Sequence, residues 1–322
     1  QRTPVTFPVT TACFAVDDHT HIIDQDFVKQ IAKANQQFGF INIYSGKTST
    51  LSSCCRLRSE TDNEYFNAFG SGSTKIGSLG VVTYNLPRLA EVADQFAETS
   101  KDVFLNSLVT AVEDIAKINH AKREIIKSRI DKGYMPLYTH GFMELKHQYS
   151  TFGVTGINEA CEILGLDILT EPGQEFVLEM MKVINQTNKQ MQERYGYPHN
   201  CEQTPAENSS IKLAKKDFLQ GYNCETDEDG EQDVEPYERS LFYSNQFIPL
   251  TTKADVLDRI RLQGMFDQHF SGGAICHVNI GERINDSTKL EELINHCAKQ
   301  GVIYWAVNYN LQECEAGHMN VG

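Results

Sequence analysis

The sequence has no apolar run approaching the roughly 18 residues that cross a membrane, and no basic segment followed by an apolar one at its start. Neither a transmembrane span nor a secretion signal is read, so the chain reads as soluble and cytoplasmic. Positive charge is also short: 29 Lys and Arg stand against 43 Asp and Glu, a formal net charge of −14 at pH 7. That balance repels a nucleic-acid backbone at long range and argues against stoichiometric binding to one, so any phosphate has to be caught locally. Nine cysteines, an odd number scattered from Cys13 to Cys314, make no regular disulfide framework; free thiols in a reducing compartment are the better reading. There is no internal repeat, and GSGSTK lacks the four-residue gap of a P-loop, which argues against nucleoside-triphosphate hydrolysis. The chain opens on Gln1 rather than Met and stops at Gly322 just past a Cys/His cluster, so both ends read as cut.

What is there is the composition of a packed globular chain, 40% hydrophobic and 22% charged, with length for one large domain or two modest ones. FGFINIY, from Phe38 to Tyr44, alternates and is bounded by Gly46, which predicts a strand running out into a Ser/Thr/Cys-rich loop. A glycine-rich stretch leads to VVTYNL, a short β-branched strand, and Pro87 then opens a helix in its first turn. Apolar residues at helical spacing from Leu89 to Ala116 predict two long amphipathic helices over 87–132. Met135 to His147 with the following YSTFGVTGINEA predicts a strand, a turn at Gly153 and Gly156, and a short helix through Leu164. Phe176, Val177, Met180, Met181 and Ile184, then Met191 and Tyr195, mark a helix begun after Pro172 and Gly173 and ended by Gly196 and Pro198, its methionine stripe in the core. Residues 225–238 hold eight carboxylates and read as a solvated loop or insertion. A calcium loop is the weaker alternative, because the bidentate Glu is out of register. GGAICHVNIGE, the segment near 287–300 and GVIYWAVNYNL give strand, helix, strand. Strands alternating with long helices predict an α/β architecture with parallel pairing, whose ligand sites gather at strand ends.

The sharpest local feature is STLSSCCRLRS, where Cys54 and Cys55 are adjacent and Arg56 and Arg58 stand beside them. It predicts an exposed loop tip whose arginines favour thiolate or bind an anion, against the plainer reading of two unrelated thiols on a polar loop. In TPAENSS, Glu207 is a candidate general acid or base, and Ser209 and Ser210 offer hydroxyls and backbone N–H groups to a phosphate. The competing reading is a capping segment before IKLAKKD, with Asn208 or Ser209 as N-cap. Lys212, Lys215 and Lys216 add local positive charge or line a solvated helix face. Cys314 and His318, three residues between them, have zinc-ligand spacing but make only half a site. His277, on a predicted strand, and Cys201 are read as structural.

In their joint order the stretches TFPVTTACFAVDD, SSCCRLRS, IGSLGVVTYNLPRLA, EQTPAENSSIKLAKKD, FYSNQFIPLT, SGGAICHVNIGE and YWAVNYNLQECEAGH resemble the anaerobic, class III ribonucleotide reductases. These are glycyl-radical enzymes that make deoxyribonucleoside triphosphates, and the resemblance runs from about Thr6 to His318. It implies a partial ten-stranded α/β barrel over 1–310, with a central finger loop at about 49–59 and the acidic insertion at 225–238. It makes 311–322 the start of a truncated zinc-binding region. The amino-terminal strands, an ATP-cone and the glycyl-radical loop of the family are not among the resembling stretches.

The same resemblance implies roles. Cys55 would carry the thiyl radical that takes the ribose 3′-hydrogen, with Cys54 a packing neighbour or secondary redox partner. Glu207 would be the acid and base for loss of the 2′-hydroxyl, and Ser209, Ser210 and Arg56 would contact substrate. Ser78 stands where many formate-using relatives have Asn; it lacks the paired donor and acceptor of an amide, so formate is in doubt as reductant and a thioredoxin-like dithiol becomes plausible. Cys314 and His318 match half of a four-ligand zinc ribbon. The implied partners are nucleoside triphosphates, a complementary reductase polypeptide that supplies the glycyl radical, a radical-SAM activating enzyme, and a second copy in a homodimer of the complete enzyme. The alternatives are another glycyl-radical enzyme of pyruvate formate-lyase type, or a non-catalytic assembly partner.

Overall fold

The computed structural model describes residues 9–46, 50–52, 58–60, 75–205, 207–222, 241–250, 252–281, 284–309, 311–313 and 319–321. In chain order, β1 (Thr10–Ala15), α1 (Gln25–Phe38), β2 (Ile41–Gly46) and the strands β3 (Thr50–Ser52) and β4 (Arg58–Glu60) come first. Then follow β5 (Gly77–Asn85), α2 (Leu86–Asp94), α3 (Ser100–Asp131), the single turn α4 (Pro136–Thr139), β6 (Gln148–Thr155), α5 (Ile157–Ile163), α6 (Glu171–Tyr195), β7 (His199–Gln203) and α7 (Glu207–Leu219). Last come α8 (Val256–Asp267), β8 (Cys276–Ile280), α9 (Ser287–Lys299), β9 (Tyr304–Tyr309), β10 (Leu311–Glu313) and β11 (Met319–Val321). The chain forms two compact units: 1–73 with 254–268 and 273–322, and 74–253 with 269–272.

In the first unit the sheet order is β1-β2-β9-β8, parallel at β1/β2 and β8/β9 and antiparallel where β2 meets β9. Its core gathers Phe14, Val28, Ile43, Ile294, Cys297 and a fully buried Trp305. α1 is built by its ends as much as by its apolar stripe. The Asp24 carboxylate accepts from the Phe27 N–H, and Gly39 closes the helix at φ 62° with its N–H on the Asn35 carbonyl. A side chain at Gly39 would also run 2.7 Å from the Val307 carbonyl. Among the described residues β3 and β4 pair antiparallel, Ser52 opposite Arg58, and so bracket residues 53–57.

The second unit is a three-stranded, wholly parallel sheet in the order β5-β6-β7, the α/β pairing the sequence predicts. Asn85 caps α2 by accepting from the Arg88 N–H, with Pro87 in the first turn as expected. The methionine stripe of α6 is core: Met180, Met181 and Met191 are buried.

Three expectations need correction. The strand expected to begin in 135–147 lies at β6 instead, because Pro136 favours a helical first turn and Gln148 begins the buried run. Gly153 is no turn residue but sits inside β6, while Gly156 does turn, at φ 75°. Pro172 and Gly173 do not precede α6; they lie in its first turn, where Pro needs no N–H partner and a Cβ on Gly173 would strike the Asp167 backbone. The acidic segment 225–238 lies outside the described residues.

Candidate active site

Register divides the side chains of the β5-β6-β7 sheet between two faces. One is covered and mainly apolar. Phe152, Val154 and Cys201 are buried there, and His199 stacks with Tyr197 and Tyr195, which in turn stack on His120 of α3. Cys201 fits the structural reading: burial first, and then the nearby Glu202, push its thiol well above the ordinary value, so it is a poor nucleophile at neutral pH.

The opposite face is polar. It carries Ser78, Thr83 and Asn85 from β5, Thr151 and Thr155 from β6, and Asn200, Glu202 and then Thr204 from β7. Gly153 lies in the middle of it; a Cβ there would overlap the Thr204 hydroxyl and stand 2.7 Å from Val81 Cγ1 and 3.1 Å from Thr83 Oγ1. The Ser78 hydroxyl lies 3.1 Å from that of Thr151, across a register shift between Ser78 and Gly80. Thr151 is in register with Asn200, and both are fully buried. A row of Ser78, Thr151 and Asn200 therefore crosses all three strands.

At the carboxyl ends of these strands the chain builds a second polar cluster. β7 leaves the sheet through Thr204, whose N–H donates to the Val154 carbonyl, and within three residues starts α7 at Glu207. This strand-turn-helix passage puts exposed Ser209 and buried Ser210 in the first turn. The helix begins at Glu207, so Asn208 and Ser209 lie in its first turn rather than before it. α7 is tied down by Asp217, whose buried carboxylate accepts from Asn85 Nδ2 at 2.7 Å, the Tyr243 hydroxyl at 2.7 Å and Arg88 at 2.5 Å. Arg88 in turn bonds Gln220 and lies over the Tyr222 ring. Nearby, the Ser244 N–H donates to Glu159 and its carbonyl accepts from the Gly156 N–H, while Asn245 bonds the Pro205 carbonyl. Parallel α/β sheets place their ligand sites at such strand ends.

The structure places the predicted residues unevenly. Ser78 enters the sheet at its amino end, whereas Glu207, Ser209 and Ser210 start the helix that follows its carboxyl end, about six strand residues or roughly 20 Å further along. Cys54, Cys55 and Arg56 lie outside the described residues, as do Cys314 and His318. Among the described residues no group of three or more His, Cys, Asp or Glu is arranged to hold a metal. No described helix is long and apolar enough to cross a membrane. His277 is half-buried on β8 with Nδ1 2.9 Å from Asn308 Nδ2, so it is a sheet-surface residue rather than a core one. Sequence reading missed Thr151, Asn200, Glu202 and Asp217. The signal for the first three was an excess of polar residues, QYST and HNCEQ, in segments short enough to be buried strands.

Comparison with known proteins gives a family and a fold. The family model for anaerobic ribonucleoside-triphosphate reductase matches residues 1–321. No curated protein matches the chain. Among solved structures it resembles one described as anaerobic ribonucleotide reductase, with TM-score 0.81 and 34% identity over 98% of this chain and 48% of that one. It also resembles the anaerobic ribonucleotide reductase from Thermotoga maritima with MES in the active site, with TM-score 0.81 and 34% identity over 99% of this chain and 51% of that one. The same enzyme in complex with dATP and CTP matches at TM-score 0.81 and 34% identity, over 99% of this chain and 50% of that one. The chain thus spans about half the length of these relatives. A family model covering almost every residue, with a polar-faced parallel sheet in a matching fold, makes this chain a member of the anaerobic ribonucleoside-triphosphate reductase family.

Proposed function

We propose that this chain is the thiyl-bearing part of an anaerobic ribonucleotide reductase, a piece of the ten-stranded barrel whose finger loop is the 49–59 segment. The family match over residues 1–321 carries the reading. The antiparallel pairing of β3 with β4 supports a hairpin with Cys54, Cys55 and Arg56 between its strands. In this proposal the glycyl radical, held by polypeptide outside these residues and installed by a radical-SAM activating enzyme, supplies the unpaired electron. Cys55 exchanges a hydrogen atom with ribose C3′: a C–H bond breaks as an S–H bond forms, and the same hydrogen returns at the end. Glu207 moves the proton that lets the 2′-hydroxyl leave as water, and α7 offers Ser209 and Ser210 to the substrate phosphates. With a hydroxyl at Ser78 where an amide would suit formate, a thioredoxin-like dithiol is the reductant this reading favours. Cys314 and His318 supply two of the four ligands a structural zinc needs, and no step depends on that metal.

The dATP and CTP of the Thermotoga maritima complex support nucleotides as ligands here. The complete enzyme is proposed to work as a homodimer in the cytoplasm. The test is an anaerobic assay of the chain reconstituted with the complementary polypeptide, activating enzyme, reductant and nucleoside triphosphates. Wild-type chain should form deoxynucleotide, and Cys55→Ala should lose at least a thousandfold of that turnover while still assembling. Unchanged turnover in that variant would reduce the chain to an assembly partner.

A further inference from the structure

Ser78 is exposed, with its hydroxyl 3.1 Å from that of buried Thr151, and the backbone that leads to it is held from several sides. Lys75, three residues earlier, sits at φ 77°, a left-handed conformation that a lysine keeps only where its surroundings enforce it. Two groups do so. Its carbonyl accepts from Gln148 Nε2 at 2.7 Å, and its ammonium meets the Glu144 carboxylate at 2.7 Å. Hydrogen bonds from Lys75 first, and then from Lys146, hold that carboxyl at about 2, so the bridge is charged throughout the neutral range.

Gln148 is where these restraints meet. It is fully buried at the start of β6, and its Nε2 also reaches the Glu144 carbonyl at 3.3 Å. Its own carbonyl accepts from Arg123 of α3 at 2.5 Å, while the other arm of that guanidinium donates to the Leu145 carbonyl. Arg123 is buried in turn, 3.7 Å from the centre of the Tyr197 ring. Opposite Gln148 in register stands Gly77, where a Cβ would come within 2.6 Å of Gln148 Oε1. Just past Ser78 the register with β6 shifts before Gly80, an irregularity of the kind that re-aims a side chain. A buried amide, a buried guanidinium, an ion pair and a strained backbone thus converge within three residues of one exposed hydroxyl. Strain of this sort collects where position matters to function.

We infer that Gln148 is a positioning residue for the reductant step: through the Lys75 carbonyl it sets the path of β5, and so the place of the Ser78 hydroxyl beside Thr151. This deepens the proposed function and rests on its reading of Ser78 as the residue that meets a dithiol reductant. Gln148 acts only through Ser78.

The test is a double-mutant cycle in the reconstituted enzyme, with reduced thioredoxin as reductant and CTP as substrate. Gln148→Met keeps the length of the side chain and loses its donor. It should lower kcat/KM for thioredoxin at least fivefold and leave kcat/KM for CTP within twofold. In the Ser78→Ala background it should change neither any further, because a residue that works through Ser78 has nothing left to position. Gly77→Ala, which presses on Gln148 from across the register, should give the same thioredoxin-specific loss if the Met variant does not fold. Losses shared equally by both substrates, no loss at all, or a loss as large without the Ser78 hydroxyl as with it would each overturn the positioning role while leaving the reductase reading intact. Ser78→Ala with an unchanged kcat/KM for thioredoxin overturns the reading of Ser78 and the inference with it, and wild-type enzyme without turnover overturns the functional reading as a whole.

Discussion

His199 is the clearest case of one residue whose chemistry is set by its surroundings. Burial is the main force on its imidazole, with Arg123 and His120 adding like charge, and together they outweigh the hydrogen bond to the Tyr197 carbonyl and hold its pKa at about 4. The groups facing it are Tyr197, Tyr195, His120 and Arg123, the last lying over the Tyr197 ring. Because the folded pKa lies below the ordinary 6.5, the unfolded chain takes up this proton first as the pH falls. The contribution of His199 to stability is thus full above about pH 6.5 and lost as the pH drops toward 4, by on the order of 3 kcal/mol. Urea midpoints measured between pH 7 and pH 4 should fall more steeply for wild type than for His199→Phe, which keeps a ring on Tyr197 but cannot titrate. Equal slopes would place His199 in a wetter setting than the structure gives it. None of this was visible in PHNCEQ, since burial of a histidine depends on α3 and α6 closing over it. The full burial of Asn200, its neighbour in the chain, was invisible for the same reason.

At the scale of elements, local chemistry made some pieces legible and tertiary packing hid others. α6 could be read from its stripe and its Gly196 terminator, and α2 from Pro87, because caps and periodicity are written in consecutive residues. β6 and β7 could not, since their polar residues, QYST and HNCEQ, look like loop until parallel pairing, on both sides of β6 and on one side of β7 among the described residues, makes them strand. Gly153 was misplaced by the same blindness: it answers to Thr83, Thr204 and Val81 across the sheet, not to a turn. α7 was found at its start but not at its anchor. Asp217, buried at 2% exposure, holds the helix to the end of β5 and the start of α2 through Asn85 and Arg88, and to Tyr243. Asp217→Ala leaves Arg88 and two further donors facing a gap, so we expect a loss of about 3 kcal/mol in urea unfolding. Hydrogen exchange across 207–219 should quicken more than across α6. A change under about 0.5 kcal/mol would mean that the helix is held by its apolar side alone.

For the molecule as a whole, the α/β class and the family were legible because several motifs occur in one order along the chain, whereas the division into two compact units, each drawing on segments distant in sequence, is encoded by no local pattern. Net charge acts at this scale too. A chain at −14 opposes the approach of a nucleoside triphosphate from a distance, even where Lys212, Lys215 and Lys216 on α7 favour it close by. Long-range repulsion between the two anions is screened once the Debye length falls to about 10 Å at 0.1 M salt, while the phosphate contacts proposed at the helix start would be screened less. The association rate of CTP should therefore rise, by a few-fold, as salt is raised from about 0.01 to 0.1 M, the reverse of what a basic nucleotide-binding surface gives. Stopped-flow binding in that range decides it. A rate that falls with salt would show that the local lysines, rather than the acidic whole, govern the encounter, and would move the phosphate-steering surface from the molecule to α7.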